Sequence, residues 1–160
     1  MSEIFLLPGE FYFGDKQKTV KTLLGSCVAI TMWNRELKVG GMCHYKLPRR
    51  LVTKDTELDG SYGEDALQLF MQNINYYGLH PADMEVGVFG AGEMFLNVVN
   101  SDDNNVGKQN IRLAHQLLDQ LGFKISHESL GGNLSRRIML DLDAGVVKVY
   151  SLDIRQQKWL

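Results

Sequence analysis

The residue types best suited to chemistry in this sequence are a cysteine and a histidine in two short stretches. Cys27 lies in "TLLGSCV", between a Gly-Ser turn and an apolar run, and His44 follows seventeen residues later in "GGMCHYKLP". A thiol is mostly protonated at neutral pH, and a neighbouring imidazole can take its proton to leave a nucleophilic thiolate. The two residues would therefore be a nucleophile and its base, provided that the fold brings them together.

A β-hairpin is the element that could do so. "CVAITMW" and "KVGGMCHY" have the composition of strands, and the intervening "NREL" has the length of a hairpin connection. If the chain turns between Arg35 and Glu36, Cys27 lies directly opposite His44. Opposed residues of an antiparallel pair project to the same face, with Cα atoms roughly 4.5–5.5 Å apart. We therefore predict that the thiol and the imidazole can share a hydrogen bond.

The same pairing separates the two cysteines. Cys43 is then opposite Val28 and shares its face with Ile30 and Met32, so this apolar face is expected to be core. Cys43 is predicted to be packed and unreactive, whereas Cys27 is accessible. A one-residue change of register would exchange the two faces, because side chains alternate along a strand.

Attack on a carbonyl carbon also requires donors for the oxyanion and a group that orients the imidazole. Gly25 and Ser26 allow a tight turn whose backbone N–H groups, together with that of Cys27, could converge on one point. Thr22 is the nearest hydroxyl that could orient His44, with Ser26 as the alternative. The polar stretch 46–63 follows His44 directly and is expected to be a long loop that borders the substrate.

Simpler interpretations exist for the same residues. Free cysteine is among the most buried residue types, so Cys27 could be a small hydrophobe at the start of a core strand. Zinc binding by Cys27, Cys43 and His44 is disfavoured, because their spacing is unusual and adjacent strand residues point apart. The glycines of "FGAGEMF" match no phosphate-binding pattern and are expected to allow close backbone packing or a tight turn.

The remaining elements follow from apolar periodicity and turn residues. Strands are predicted at 10–14, 21–25, 27–33, 38–45, 84–92, 124–133, 135–145 and 146–152, and amphipathic helices at 64–77 and 106–123. This order predicts an α/β fold, with a mixed sheet against which the helices pack, in a single domain spanning 1–160.

Composition excludes several classes of protein. The chain has 160 residues, 44% hydrophobic and 22% charged, and a formal net charge of −2, so it lacks the basic surface of a nucleic-acid-binding protein. The N-terminal residues lack the features of a secretion signal, so we expect a cytoplasmic protein in which Cys27 and Cys43 are free thiols.

Six stretches, in this order and spacing, resemble the CheD family. They are "TLLGSCVAI", "VGGMCHYKLP", "SYGEDA", "VFGAGEMF", "VGKQN" and "LGGNLSRRIML". The likeness runs from "PGE" at 8–10 to "VVKVYSL" near the end of the chain. Its most specific part is the combination of "LGSC" with a histidine seventeen residues later.

The resemblance implies a chemoreceptor glutamine deamidase. Such an enzyme hydrolyses selected glutamine side chains on the cytoplasmic helices of chemoreceptors, giving glutamate and ammonia without a metal or organic cofactor. The family's nucleophile falls on Cys27 and its base on His44. The implied fold is an α/β sandwich similar to the catalytic domain of the cytotoxic necrotizing factor deamidases.

The resemblance also implies partners. Some members act on glutamate methyl esters, and some bind a CheC-type phosphatase; we expect this chain to be a monomer without direct membrane insertion. One alternative is a non-catalytic adaptor that binds such a phosphatase, and a weaker one is a generic thiol acyl-transferase or protease. A reactive thiol with a low pKa at Cys27 would favour the enzyme, and an ordinary thiol pKa would favour the adaptor.

Several positions depart from the family pattern. The family's catalytic threonine often precedes the cysteine by six residues, a position that Lys21 occupies here, with Thr22 one place later. Gly90-Ala91-Gly92 replaces the usual Gly-Gly-Ala, Gln109 stands where arginine is common, and Ser135 stands where glycine is common. These changes lie outside the predicted nucleophile and base, and could alter surfaces for substrate or partner.

Overall fold

The structure, a computed structural model, describes residues 2–52, 57–94, 105–156 and 158–159. It contains two five-stranded sheets and two α-helices. The strands are β1 (Ser2–Leu6), β2 (Phe11–Gly14), β3 (Lys18–Leu24), β4 (Val28–Asn34), β5 (Val39–Tyr45), β6 (Glu85–Gly90), β7 (Ile125–Leu130), β8 (Leu134–Asp141), β9 (Val146–Asp153) and β10 (Lys158–Trp159). The helices are α1 (Gly63–Tyr76) and α2 (Val106–Leu121), and a short 3₁₀ turn spans Pro81–Asp83.

Both sheets are mixed. The first has the order β1-β3-β8-β9-β10 and the second the order β2-β5-β4-β6-β7. The pairs β1–β3 and β6–β7 are parallel, and the other pairs are antiparallel. The predicted mixed α/β class is therefore confirmed, but the strands divide between two sheets, whereas the sequence suggested one.

Two cores separate three layers. The outer core lies between the second sheet and the helices, and the inner core lies between the two sheets. β4 has all seven residues buried, because its alternate side chains enter both cores. Val28, Ile30 and Met32 belong to the outer core, whereas Ala29 and Trp33 belong to the inner one. The second sheet is thus the middle layer of a sheet–sheet–helix arrangement.

Local signals account for the helix ends. Helix α1 begins at Gly63, has two acids in its first turn, and packs Ala66, Leu67, Phe70 and Ile74 into the outer core. In α2 the Asn105 side chain accepts a hydrogen bond from the Lys108 N–H, and Gly122 ends the helix in a left-handed conformation. None of the helices within the described ranges is long and apolar enough to span a membrane.

The sequence did not predict β1 or β10. β1 pairs with β3 in parallel, and most of its side chains are exposed or half-buried, so its apolar periodicity is weak. Its existence depends on tertiary pairing with β3. The predicted loop 46–63 is present where the structure describes it, although residues 53–56 lie outside the described residues and α1 already begins at Gly63.

Candidate active site

The hairpin formed by β4 and β5 has a different register from the predicted one. His44 lies opposite Ala29, and Tyr45 lies opposite Val28. The prediction that Cys27 lies directly opposite His44 is therefore wrong. Cys27 precedes β4 and is one same-face step along the chain from Ala29, so it is a diagonal rather than a direct neighbour of His44.

The turn at the other end of the hairpin explains the difference. Asn34 pairs with Val39, which leaves four residues in the connection and moves its centre to between Glu36 and Leu37. The Asn34 side chain accepts a hydrogen bond from the Leu37 N–H at 2.9 Å, and Lys38 closes the turn with a φ of 54°. A lysine in this left-handed conformation gives no sequence signal comparable to Asn-Gly or Asp-Gly.

The change of register preserves the predicted faces, because it moves the partner strand by two positions. Cys27 is partly exposed and packs against the inner core, on the side that holds Ala29 and Met42. Cys43 is fully buried in the outer core. Burial raises the pKa of the Cys43 thiol to about 12, so this cysteine stays protonated and is shielded from reagents.

Cys27 lies where the chain crosses from one sheet to the other. β3 ends at Leu24 in the first sheet and β4 begins at Val28 in the second, so residues 25–27 form the crossing. Within the described ranges, no acceptor is found for the backbone N–H groups of Gly25, Ser26 and Cys27. These N–H groups are the donors that the sequence suggested for an oxyanion.

Thr22 and His44 meet across the inner core. The Thr22 Oγ1 lies 2.6 Å from the His44 Nδ1 and 2.8 Å from the carbonyl oxygen of Leu6. A carbonyl can only accept, so the hydroxyl proton is donated to Leu6 and the imidazole must donate its Nδ1–H to Thr22. This assignment leaves the His44 Nε2 unprotonated, with a lone pair that can accept a proton.

His44 is a neutral base in this environment. Its side chain is 2% exposed, and Nε2 is buried with no hydrogen-bond partner in the described part of the chain. Burial lowers the pKa of His44 to about 4, and the nearby Lys46 charge acts in the same direction. A buried acceptor without a partner is unusual in a folded protein, and a catalytic role is one of the recognised explanations.

The resting thiol of Cys27 is protonated as well. Burial raises its pKa above the ordinary value, and the positive charge of Lys46 only partly opposes this effect. The low thiol pKa that we expected of an enzyme is therefore absent in the resting state. Desolvation by the inner core explains the difference.

Lys46 was not identified from the sequence. It is an exposed residue that influences the pKa of both Cys27 and His44, so its charge lies within electrostatic range of the two groups. The signal that could have identified it is its position two residues after His44, at the end of β5.

The other candidate side chains point elsewhere. Ser26 is exposed, whereas Thr22 is fully buried against the imidazole. Lys21, at the position where the family often has threonine, forms a 2.8 Å ion pair with Glu3. Thr22 is therefore the hydroxyl that contacts His44.

Helix α2 fixes the chain that follows His44. The Asn110 side-chain amide donates to the carbonyl of Lys46 at 2.9 Å, and the Tyr45 hydroxyl donates to the carbonyl of Asn110 at 2.6 Å. Asn110 is fully buried and was also missed. The sequence feature that could have identified Asn110 is its position as a polar residue on the apolar face of a helix, between Gly107 and Leu113.

Glycines of the segment after β6 allow it to pack closely on the Cys27 turn. Gly90 has a φ of 113°, and a Cβ added there would collide with the carbonyl oxygen of Cys27. The Gly92 N–H donates to the carbonyl of Gly25 at 2.8 Å. The predicted role of these glycines in close backbone packing is confirmed.

Comparison with known proteins agrees with the resemblance in the sequence. A sequence model of the family described as "CheD chemotactic sensory transduction" matches residues 47–151. A protein of Chromobacterium violaceum, named "Probable chemoreceptor glutamine deamidase CheD 1", is 40% identical over 144 residues, which are 90% of this chain and 75% of that protein.

Other relatives give the same result. A similarly named protein of Dechloromonas aromatica is 37% identical over 92% of this chain and 86% of its own. One of Pseudomonas fluorescens is 39% identical over 92% and 84%, respectively. The solved structure of the hypothetical protein YfiH of Bacillus licheniformis has a TM-score of 0.47 and 14% identity over 74% of this chain and 49% of that one, too low a likeness to identify the fold. The extent of the sequence matches shows that the chain belongs to the CheD family.

Proposed function

We propose that this protein is a chemoreceptor glutamine deamidase that uses Cys27 as its nucleophile. The observation that carries the proposal is the state of His44. Its Nδ1 is held by Thr22, and its Nε2 is a buried acceptor without a partner among the described residues, in the layer against which Cys27 packs. The names of the relatives supply the substrate class, and the site supplies groups suited to it.

The first half of the reaction forms a thioester. As the Cys27 sulfur attacks the Cδ of a receptor glutamine, the His44 Nε2 takes the thiol proton, and the carbonyl oxygen becomes an oxyanion. Backbone N–H groups of residues 25–27 stabilise that oxyanion. The imidazolium keeps its Nδ1–H hydrogen bond to Thr22, so the ring does not need to rotate. His44 then returns its proton to the amide nitrogen, the C–N bond breaks, and ammonia leaves.

The second half hydrolyses the thioester. The neutral His44 accepts a proton from a water molecule, which attacks the thioester carbon and forms a second oxyanion in the same place. When this intermediate collapses, the C–S bond breaks and the sulfur takes the proton from His44. The products are a receptor glutamate and the free enzyme.

The partners and setting belong to the same proposal. The substrate would be the cytoplasmic helices of chemoreceptors, with the enzyme in the cytoplasm as a monomer, and a CheC-type phosphatase is its candidate regulator. The loop after His44 stays our prediction for a surface that borders the substrate. The likeness of the fold to the cytotoxic necrotizing factor deamidases also stays a prediction.

The decisive experiment follows ammonia release and the mass change from glutamine to glutamate in a purified cytoplasmic receptor fragment from the same organism. We expect turnover with the native chain and with Cys43→Ala, and none with Cys27→Ala. Turnover by Cys27→Ala would refute the nucleophile. A native chain that binds a CheC-type phosphatase but releases no ammonia from any receptor fragment would establish the adaptor instead.

A further inference from the structure

The proposed mechanism assigns no role to a buried arginine that lies a few residues after Gly131 and Gly132. Arg136, on β8, is 1% exposed and is paired in register with Leu24, the last residue of β3 before the Cys27 turn. A buried guanidinium is costly unless its donors are satisfied. Those of Arg136 bind neutral oxygens: the Ser129 Oγ at 3.0 Å, the Gly131 carbonyl at 2.7 Å and the Leu134 carbonyl at 3.4 Å. No ion pair of Arg136 with a carboxylate occurs among the described residues.

The loop held by Arg136 binds the segment that follows β6. This loop, residues 131–134, runs into the first residue of β8 and makes three hydrogen bonds to the end of β6 and the residues after it. They are Gly131 N–H to the Gly90 carbonyl at 2.8 Å, Glu93 N–H to the Gly132 carbonyl at 2.7 Å, and the Asn133 side-chain amide to the Glu93 carbonyl at 2.9 Å. Gly92 lies between these contacts, and a Cβ added to it would collide with the Leu134 carbonyl. Arg136 therefore fixes the position of Gly92 through neighbouring backbone.

Gly92 in turn fixes one peptide of the Cys27 turn. Its N–H donates to the Gly25 carbonyl at 2.8 Å. In a trans peptide the carbonyl and the following N–H point in opposite directions. The hydrogen bond from Gly92 thus directs the Ser26 N–H away from the segment after β6, and this N–H has no acceptor in the parts of the chain that the structure describes.

We propose that Arg136 is a positioning residue for the oxyanion site. Through the loop 131–134 and Gly92, it holds the peptide between Gly25 and Ser26 in the orientation that offers the Ser26 N–H to the substrate oxygen. Without it, this peptide can rotate and turn the Gly25 carbonyl toward the developing negative charge. The inference rests on the proposed function, because it names the residues that prepare the same site.

Two reactions of Cys27 distinguish a positioning role of Arg136 from disruption of the whole site. Deamidation develops an oxyanion, whereas alkylation by iodoacetamide requires the thiol and its base but no oxyanion site. For Arg136→Met we expect kcat for deamidation to fall about 100-fold or more, the usual effect of losing one oxyanion donor, with KM little changed. The alkylation rate of Cys27 should stay within about twofold of the native rate. Arg137 is an exposed neighbour, and in the control variant Arg137→Met the rates of deamidation and alkylation should both stay within about twofold of native.

Graded variants keep the test decisive. Arg136→Lys keeps the charge but not the planar set of donors, so its kcat should lie between those of the native chain and Arg136→Met. Asn133→Ala removes only the bond to Glu93 at the surface; it should fold and lose deamidation several-fold while alkylation persists. If Arg136→Met fails to fold, the deamidation and alkylation rates of Asn133→Ala decide whether the inference holds.

Two outcomes overturn the inference. One is an equal fall in deamidation and alkylation, which would mean that Arg136 supports the whole site. The other is full deamidation activity in a folded Arg136→Met variant. If that variant does not fold, full deamidation activity in Asn133→Ala has the same meaning. The proposed function fails on a different result, turnover by Cys27→Ala. Inactive Cys27→Ala together with fully active Arg136 variants would remove this inference alone.

Discussion

The hydroxyl of Thr22 and the imidazole of His44 are joined by a 2.6 Å hydrogen bond that runs from one sheet to the other. The orientation of the His44 imidazole therefore depends on the distance between two separately hydrogen-bonded sheets. The Leu6 carbonyl on β1 completes the arrangement, since it accepts the only proton of the hydroxyl. A strand that the sequence did not predict thus determines which nitrogen of His44 can accept a proton.

Replacing Thr22 tests this arrangement. In Thr22→Val the Nδ1–H and the Leu6 carbonyl lose their partner, which should cost about 1–3 kcal/mol of folding free energy. Loss of one orienting hydrogen bond of the same size lowers kcat by roughly fivefold to a hundredfold. Urea unfolding and steady-state deamidation measure the two effects.

Thr22→Ser is the matched control, because it keeps the hydroxyl and removes only a methyl group. It should recover most of the kcat lost in Thr22→Val. If Thr22→Val has native kcat, Thr22 does not orient the base.

The two cysteines should differ sharply in reactivity. Cys27 is partly exposed, whereas Cys43 is fully buried with a pKa of about 12. Iodoacetamide should label Cys27 in the native protein and reach Cys43 only after unfolding, as peptide mass spectrometry can show. Because burial raises the pKa of Cys27, its labelling rate should still be rising with pH at pH 9. Equal labelling of both cysteines would contradict the placement of Cys43 in the outer core.

The buried His44 should make stability depend on pH. Its pKa is about 4 in the folded chain and about 6.5 when unfolded, so the unfolded state binds more protons between these values. Above pH 6.5 the titration of His44 should therefore no longer change the free energy of unfolding. As the pH decreases from 6.5 toward 4, that free energy should fall by roughly 3 kcal/mol. His44→Gln lacks this titration, and its unfolding free energy should change less over the same range. Parallel pH profiles for the two proteins would contradict the low pKa of His44.

Lys46 should assist removal of the thiol proton. Its charge lowers the pKa of Cys27, so Lys46→Met should raise that pKa and slow alkylation at neutral pH. The same substitution removes a charge that lowers the pKa of His44, so that pKa should also rise. The pH dependence of alkylation, with Lys38→Met as a control on the far side of the hairpin, measures the first effect. An unchanged alkylation profile would show that the Lys46 charge does not act on Cys27.

Much of this site follows from sequence, and the exceptions have physical causes. The pattern placed Cys27 and Cys43 on opposite faces because side-chain alternation survives any even change of register. It failed to place His44 opposite Ala29, because the turn ends on a lysine with positive φ rather than on glycine or asparagine. A local turn of this kind is visible only once the strands are paired.

The long-range contacts were beyond the sequence for a different reason. The groups involved are the main-chain carbonyl of Leu6, the buried amide of Asn110 and the distant charge of Lys46. None of them has a characteristic spacing from Cys27. The division of the strands into two sheets could not be predicted from the sequence either. Each strand was predicted from its own periodicity, whereas its partners depend on packing against residues far along the chain.

The crossing at residues 25–27 limits where this chain can change in length. Face-to-face sheets stand about 10 Å apart, so a three-residue crossing has little slack. A deletion would pull the sheets out of alignment, and an insertion would let Cys27 shift relative to the inner core against which it packs. Changes of length are therefore expected to be tolerated in other loops, while the span from Gly25 to Cys27 keeps its three residues.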